Sequence, residues 1–323
     1  MDAAHEGGTL AEHGEFAVIE AITAAMGEVR RPGADVLVGP GDDAAVLRVR
    51  TGHVVVSSDL LVEDRHFRKA WTTAYDLGRR AAAQNLADIA AMGGTATWLT
   101  VGLAAPADTP LAWVRDLARG LAEEAALVGA DVVGGDLTES GEIVIAVTVL
   151  GSCAQSPVLR DGARPGDVVA LAGRQGWAAA GLAVLSRGFR SPRTVVEAHR
   201  RPAPPYDQGP VAAQAGATAM IDVSDGLLAD LGHLARDSGV AIDVDPGVFE
   251  VPEPLHAVGA ALGVDPLGFV LTGGEDHGLV ACFESAADVP QGWLRIGTVG
   301  EGEGVTVAGE TRSEPGGWTH FSS

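Results

Sequence analysis

The chain has 323 residues, 46% of them hydrophobic, and sets 22 Lys and Arg against 43 Asp and Glu for a formal net charge of −21. That length exceeds the size at which one core usually stays single, so two domains are expected, and the acidic balance argues against nonspecific nucleic-acid binding while suiting cationic ligands and metal sites. Two cysteines, Cys153 and Cys282, in no metal-like spacing, indicate neither a disulfide scaffold nor a zinc site, and a single lysine, Lys69, outside any GxxxxGK[ST] pattern, excludes a P-loop.

In chain order, Met1-Asp2-Ala3-Ala4-His5-Glu6 has neither a basic start nor an apolar core, and no apolar run approaches the roughly 18 residues of a membrane span, so a cytoplasmic protein with no membrane partner is expected. Phe16 to Met26 reads as a helix. Val36-Leu37-Val38 leads into Gly39-Pro40-Gly41-Asp42-Asp43, and a strand follows through Leu47. Val54-Val55-Val56 is a strand running into Ser57-Ser58-Asp59. The spacing of Leu77, Ala81, Leu86 and Ile89 predicts a helix from Ala74 to Met92, with Asn85 and Asp88 on one face and Gly93-Gly94 as its cap. Then come a strand from Trp98 to Leu103, a helix from Leu111 to Val128, the strand Asp131-Val132-Val133, a turn at Gly134-Gly135-Asp136 and a strand from Glu142 to Leu150. Between Gly151 and Arg164 the pattern breaks into Ser, Pro, Gly and charge, which places a domain boundary there: 1–151 and 152–323.

The second half repeats the alternation. A strand from Asp167 to Ala172, a glycine-opened helix from Gly173 to Ser186, a proline-rich stretch at 201–205 and a helix through Val211 to Ala215 come first. Ala219-Met220-Ile221 then leads into Asp222-Val223-Ser224-Asp225-Gly226 and a helix from Leu227 to Ser238. Ala241 to Val244 (strand), Leu255 to Leu262 (helix), Phe269 to Thr272 (strand) and Gly278 to Phe283 (strand) follow. Alternating strands and helices predict a layered α/β or α+β fold.

Six stations set carboxylates beside glycine, serine or asparagine: Gly41-Asp42-Asp43, Ser57-Ser58-Asp59, Asn85-Leu86-Ala87-Asp88, Gly134-Gly135-Asp136, Asp222-Val223-Ser224-Asp225 and Gly273-Gly274-Glu275-Asp276. Any one of them is an ordinary turn composition. Together they are the oxygen ligands of hard cations such as Mg2+, which complete their shells with water and phosphate oxygens. Asp88 is the most telling, because a carboxylate in Ala87-Asp88-Ile89-Ala90-Ala91-Met92 heads toward burial and there needs a cation or several donors. Arg160, just past the boundary, reads either as a guanidinium fork for a nucleotide phosphate or as a surface salt-bridge partner. His66 reads either as a contact to a substrate phosphate or ring or as a solvated loop histidine, and Trp318 either as a stacking surface for a flat ring or as an anchor of the tail to the core.

Taken in order, these stations, with His66 seven residues after Asp59 and Gly226-Leu227 closing the fifth, resemble the thiamine-monophosphate kinase family over almost the whole chain. The resemblance implies an aminoimidazole-ribonucleotide-synthetase-like α/β fold of two domains, with amino-terminal sheets pairing into a barrel across a homodimer. It implies ATP and thiamine monophosphate as substrates, ADP and thiamine diphosphate as products, and several Mg2+ ions. Asp42, Ser57, Ser58, Asp59, Asp88, Asp136, Asp222 and Asp225 are thereby expected to bind Mg2+, with Asp59, Asp88 and Asp136 central to catalysis. Gly135, Asp136, Arg160 and Ser224 are expected at ATP, and His66, Glu275 and Trp318 at the thiamine phosphate. Two departures stand out: Ala87 replaces the serine usual before the helix aspartate, removing a hydroxyl, and His277-Gly278 replaces Tyr-Glu, with the expectation of a reshaped substrate pocket.

Phosphoryl transfer asks chiefly for charge neutralisation and in-line positioning, which acid-held Mg2+ provides. The attacking oxygen is a phosphate oxygen, already ionised near neutral pH, so no strong base is needed and none is evident in the sequence. Competing readings are a selenophosphate synthetase, against which stands the absence of an early reactive Cys and Lys pair, a ribonucleotide-amide ligase of the same superfamily, and a nucleotide- or metal-binding module without turnover.

Overall fold

A computed structural model of the chain describes residues 8–29, 33, 35–38, 46–50, 54–311 and 317. They divide into two compact units, Met1–Ile89 with Ala96–Ser152, and Ala90–Thr95 with Cys153–Ser323.

The first unit runs α1 (Leu10–His13), α2 (Glu15–Val29), β1 (Val36–Val38), β2 (Val46–Leu47), β3 (Val55–Val62), α3 (Ala74–Ala91), β4 (Thr95–Ala105), α4 (Leu111–Leu127), β5 (Asp131–Glu139) and β6 (Val144–Ser152). β1 and β2 form a small antiparallel ribbon, and the main sheet has the order β3-β6-β4-β5. β3 and β6 pair antiparallel along their whole length, from Val55 opposite Gly151 to Val62 opposite Val144, while β4 and β5 run parallel. Alternation sets the two faces apart. Ile145, Val147 and Val149 of β6 are buried on one face; on the other, Val56 and Leu60 of β3 are 61% and 50% exposed. The helices α3 and α4 meet backbone to backbone. A Cβ added at Gly78 would lie 2.1 Å from the Leu117 carbonyl oxygen, and one at Gly120 would lie 2.1 Å from that of Tyr75, so both crossings require glycine. Beside this crossing, buried Glu124 is paired with Arg79, and the Tyr75 hydroxyl donates to Glu123.

The second unit runs β7 (Val168–Ala172), α5 (Trp177–Ser186), α6 (Arg193–Arg200), α7 (Gln208–Gln214), β8 (Ala219–Val223), α8 (Leu227–Ser238), β9 (Ala241–Val244), α9 (Glu253–Leu262), α10 (Pro266–Thr272), β10 (Gly278–Phe283), β11 (Leu294–Gly300) and β12 (Gly304–Val307). Its sheet has the order β12-β9-β11-β7-β10-β8, antiparallel except for the β12–β9 pair. Both faces are covered. Val169, Ile221, Val223 and Val280 pack with Leu227, Leu231 and Leu234 of α8, while Met220, Leu279, Ala281 and Phe283 pack with Ala212, Trp293 and the end of α3 at Ala90 and Ala91. This two-sided burial explains why every residue of β8 and β10 is buried and why, Asp222 apart, both strands are apolar throughout.

Several elements depart from the sequence expectation. Phe269 to Thr272 belongs to the helix α10: Asp265 caps it by accepting from the Leu267 N–H at 3.0 Å, Pro266 opens it and Gly273 ends it. These start and stop signals outweigh the β-forming composition of Phe269-Val270-Leu271. The turn expected at Gly134-Gly135-Asp136 is instead the middle of β5, held by parallel pairing to β4, and Ser57-Ser58-Asp59 lie inside β3 rather than beyond its end. The helix expected from Gly173 begins only at Trp177, after glycines 173 and 176 with φ of 93° and 86°. Helix α6 and strands β11 and β12 had no counterpart in the expected elements. Among the described residues no single helix is long and apolar enough to cross a membrane.

Candidate active site

In the first unit, β3 and α3 bring four sequence-predicted groups together. Alternation along β3 points Ser57 and Asp59 to the same face, where the Ser57 hydroxyl donates to Asp88 Oδ2 at 2.7 Å. The Asp59 N–H donates to Asn85 Oδ1 at 3.0 Å, and Asn85, fully buried, fixes its own amide by donating from Nδ2 to the Ala81 carbonyl at 2.9 Å. Asn85 and Asp88 are one helical turn apart, so a single face of α3 holds both the backbone and the side chains of the β3 station. Ala87 is wholly buried, which makes that departure a feature of the core; the hydroxyl on Asp88 comes from Ser57.

Ser58 and Asp136 are placed elsewhere. Ser58 Oγ donates to the Val147 carbonyl at 3.0 Å and lies 3.0 Å from Thr148 Oγ1. Leu60 pairs with Ala146, Gly102 pairs with Asp136, and a Cβ on Gly102 would lie 3.7 Å from that of Ala146, so this row runs across the open face to an exposed Asp136 on the edge strand β5. Three strand spacings, roughly 14 Å, separate it from β3. The single unit therefore does not gather Asp136 beside Asp59 and Asp88. His66 is half-buried, its Nδ1 accepting from the Val62 N–H at 3.0 Å, which ties it to the end of β3.

In the second unit, the exit of β8 and the loop before β10 are stitched together. The Glu275 N–H donates to the Ser224 carbonyl at 2.9 Å and the His277 N–H to the Val223 carbonyl at 3.2 Å. Gly274 sits so close that a Cβ would lie 2.0 Å from the Ser224 carbonyl oxygen. Glu275 and His277 adopt φ of 66° and 51°, a left-handed conformation rare outside glycine and of the kind found where side chains are held for function. Between them Asp276 is buried, both oxygens 3.1 Å from the Ala178 N–H at the start of α5. Burial pushes its carboxyl up to about 7 despite that N–H and the nearby Arg174.

Asp222, buried in β8, meets His277: Nδ1 to Oδ2 is 3.0 Å. Two residues the sequence reading passed over, Asp230 and His233, lie with Asp225 such that one potential ligand atom from each falls within 4.8 Å of the others. Asp230 Oδ2 accepts from the N–H groups of Asp225 and Gly226 at 3.1 and 3.0 Å, and burial pushes its carboxyl up to about 7, with the Asp222 and Asp225 charges adding to the rise. The signal was present in the sequence, since Asp230 falls in the first turn of a helix opened by Gly226, where a carboxylate turns back onto free N–H groups. Arg160 is exposed, with its carbonyl accepting from Ser238 Oγ at 2.8 Å. Asp42 and Trp318 lie outside the described residues; Gly317, however, packs on the same loop, where a Cβ would lie 2.5 Å from the Asp225 carbonyl oxygen.

The oxygen donors suit a hard cation: two carboxylates and a hydroxyl at the Ser57, Asp59, Asp88 group, and two carboxylates beside the His233 imidazole at the Asp225, Asp230, His233 group.

Comparison with known proteins identifies the family. Residues 41–153 match the AIR synthase related protein, N-terminal domain, and residues 164–310 match the AIR synthase related protein, C-terminal domain. The Thiamine-monophosphate kinase of Mycobacterium tuberculosis is 48% identical over 321 residues, covering 98% of this chain and 95% of that protein. The crystal structure of Thiamine-monophosphate kinase from Stenotrophomonas maltophilia K279a superposes with a TM-score of 0.79 at 33% identity, covering 92% of this chain and 97% of that one. The structure of AaThiL complexed with AMPPCP and TMP does so with a TM-score of 0.79 at 31% identity, covering 97% and 98%. With both halves matched and nearly the whole length aligned at this identity, the chain belongs to the thiamine-monophosphate kinase family, within the AIR synthase related proteins.

Proposed function

We infer that this chain transfers the terminal phosphoryl group of ATP to the phosphate of thiamine monophosphate, giving ADP and thiamine diphosphate. The observation that carries the inference is the near full-length identity to a thiamine-monophosphate kinase together with the Ser57, Asp59, Asn85, Asp88 cluster. AaThiL, a fold neighbour over nearly the whole chain, was solved with AMPPCP and TMP. In the reaction a phosphate oxygen of the acceptor attacks the γ-phosphorus of ATP, the bond to the β,γ-bridging oxygen breaks, and ADP leaves with that electron pair.

Residues 1–151 are assigned to metal and ATP binding and dimerisation, and residues 152–323 to completing the nucleotide and substrate site. Asp42, Ser57, Ser58, Asp59, Asp88, Asp136, Asp222 and Asp225 are assigned to Mg2+, with Asp59, Asp88 and Asp136 central. Mg2+ held by such acids neutralises the charge spread over the transferring group. The protein's own part is preorganisation. Asn85 locks the backbone of Asp59, Ser57 orients one oxygen of Asp88, and the paired loops at 224 and 275 hold Ser224 and Glu275 side by side. Gly135, Asp136, Arg160 and Ser224 are assigned to ATP, Arg160 bringing an exposed guanidinium suited to a phosphate fork. His66, Glu275 and Trp318 are assigned to thiamine monophosphate; the packing of Gly317 on Asp225 supports the last. The acceptor phosphate has a second pKa near 6 and is ionised without a protein base.

A homodimer completes this reading. The open face of the first sheet leaves Val56 and Leu60 exposed and carries Ser58 and Asp136. That exposed apolar pair supports an interface on this face, and Ser58 and Asp136 are the ligands we assign to the assembled dimer. Phosphorus NMR of a mixture of the protein, ATP, Mg2+ and thiamine monophosphate tests the transfer: a new pair of coupled diphosphate resonances beside ADP is expected, and inorganic phosphate as the sole new product would refute it.

A further inference from the structure

We propose that His277 is a positioning residue for Asp222, holding one carboxylate oxygen so that the other is presented to the bound cation. The proposal rests on the assignment of Asp222 to Mg2+ made above. His277 belongs to one of the two departures noted in the sequence, and its place in the structure gives that departure a role. It does not widen a pocket: it is buried, and its Nδ1 lies 3.0 Å from Asp222 Oδ2, itself buried. A carboxylate oxygen accepts, so Nδ1 carries the proton and donates.

Three further observations show that this contact is built rather than incidental. His277 meets Asp222 from a φ of 51°, a conformation a non-glycine residue adopts at a cost. That conformation is held by the His277 N–H on the Val223 carbonyl and by the preceding Asp276, anchored at the Ala178 N–H. In the β8–β10 register Asp222 stands opposite Leu279, so no cross-strand neighbour there offers a donor, and the ring arrives from beyond the strand end. Carboxylates that ligate metals are themselves held by hydrogen bonds, and removing such a partner typically weakens metal affinity about 10- to 100-fold.

The test uses the full chain with Mn2+ as the metal probe, titrated in the presence of ATP and read by calorimetry or by the free Mn2+ electron-spin signal. His277→Leu should weaken Mn2+ binding by about 10- to 100-fold and raise the Mg2+ concentration needed for half-maximal rate, leaving KM for thiamine monophosphate within about twofold. His277→Asn places its amide N–H where Nδ1 was and should recover most of the affinity; His277→Gln, which reaches as Nε2 does, should not. If Asp222→Asn loses metal while His277→Leu keeps parental affinity, the positioning role is overturned and the metal assignment stands. If Asp222→Asn itself keeps parental affinity, the assignment of Asp222 falls and the proposal with it. Should the leucine variant fail to fold, the asparagine and glutamine pair decides, and equal Mn2+ affinities for the two would overturn the proposal.

Discussion

Asp276→Asn is the perturbation whose consequence follows most directly from the structure. Asp276 is 3% exposed, has no cationic partner in hydrogen-bond contact among the described residues, and accepts only from backbone N–H groups at the start of α5. Burial pushes its carboxyl from an ordinary 3.8 to about 7. A group whose folded value is raised binds its proton more tightly when folded, so its contribution to stability is fully present below 3.8 and is lost as pH rises to about 7. At about 1.4 kcal/mol per unit, the whole window is worth about 4 kcal/mol, and the part between pH 5 and neutrality about 3 kcal/mol. Asparagine keeps an acceptor for the Ala178 N–H and does not titrate. The difference in unfolding free energy between Asp276→Asn and the parent should therefore move in the variant's favour by about 3 kcal/mol from pH 5 to pH 9. Urea unfolding of both proteins at pH 5, 6, 7, 8 and 9 without added metal measures it. A difference independent of pH would show that Asp276 is not a buried, proton-holding carboxyl and would refute the reasoning.

Asp59→Asn and Asp88→Asn should each lower kcat by about a hundredfold or more, whereas Glu275→Gln and His66→Ala should chiefly raise KM for thiamine monophosphate; steady-state kinetics separates the two groups. Gly78→Ala should lower stability by about 1–3 kcal/mol or more, because its Cβ would meet the Leu117 carbonyl oxygen at 2.1 Å, while Gly27→Ala in α2, with nothing within 4 Å, should gain about 0.5–1 kcal/mol; thermal unfolding compares them. Leu60→Lys, on the open sheet face, should convert a dimer to monomers in sedimentation velocity, and an unchanged sedimentation coefficient would place the interface elsewhere.

Much of this arrangement was legible in the sequence because the signals were local. The 3.6-residue period that put Asn85 and Asp88 on one face of α3 was readable, and the structure uses that face against β3. The alternation along β3 was not read, since Ser57-Ser58-Asp59 look like a loop composition, and so the division of Ser57 and Asp59 from Ser58 between two sheet faces went unseen. Gly134-Gly135-Asp136 misled for the same reason: glycine there serves close strand packing, with a Cβ on Gly135 falling 2.1 Å from the Val101 carbonyl oxygen. The contacts of His277, Asp276 and Asp230 depend on long-range register and on left-handed backbone at 275 and 277, which no window of sequence encodes. Such strained positions are where local rules are expected to fail and where function concentrates.

The central claim is that the nucleophile is a phosphate oxygen of thiamine monophosphate, which attacks without help from a protein base and is supported by acids assigned to Mg2+. A coupled assay of ADP release, run with Mg2+ and ATP and with either thiamine monophosphate or thiamine as acceptor, tests it most directly. Rapid ADP release with the monophosphate and almost none with thiamine is expected, because the alcohol of thiamine lacks an ionised oxygen. Equal turnover of the two acceptors, or ADP release that ignores both, would contradict it.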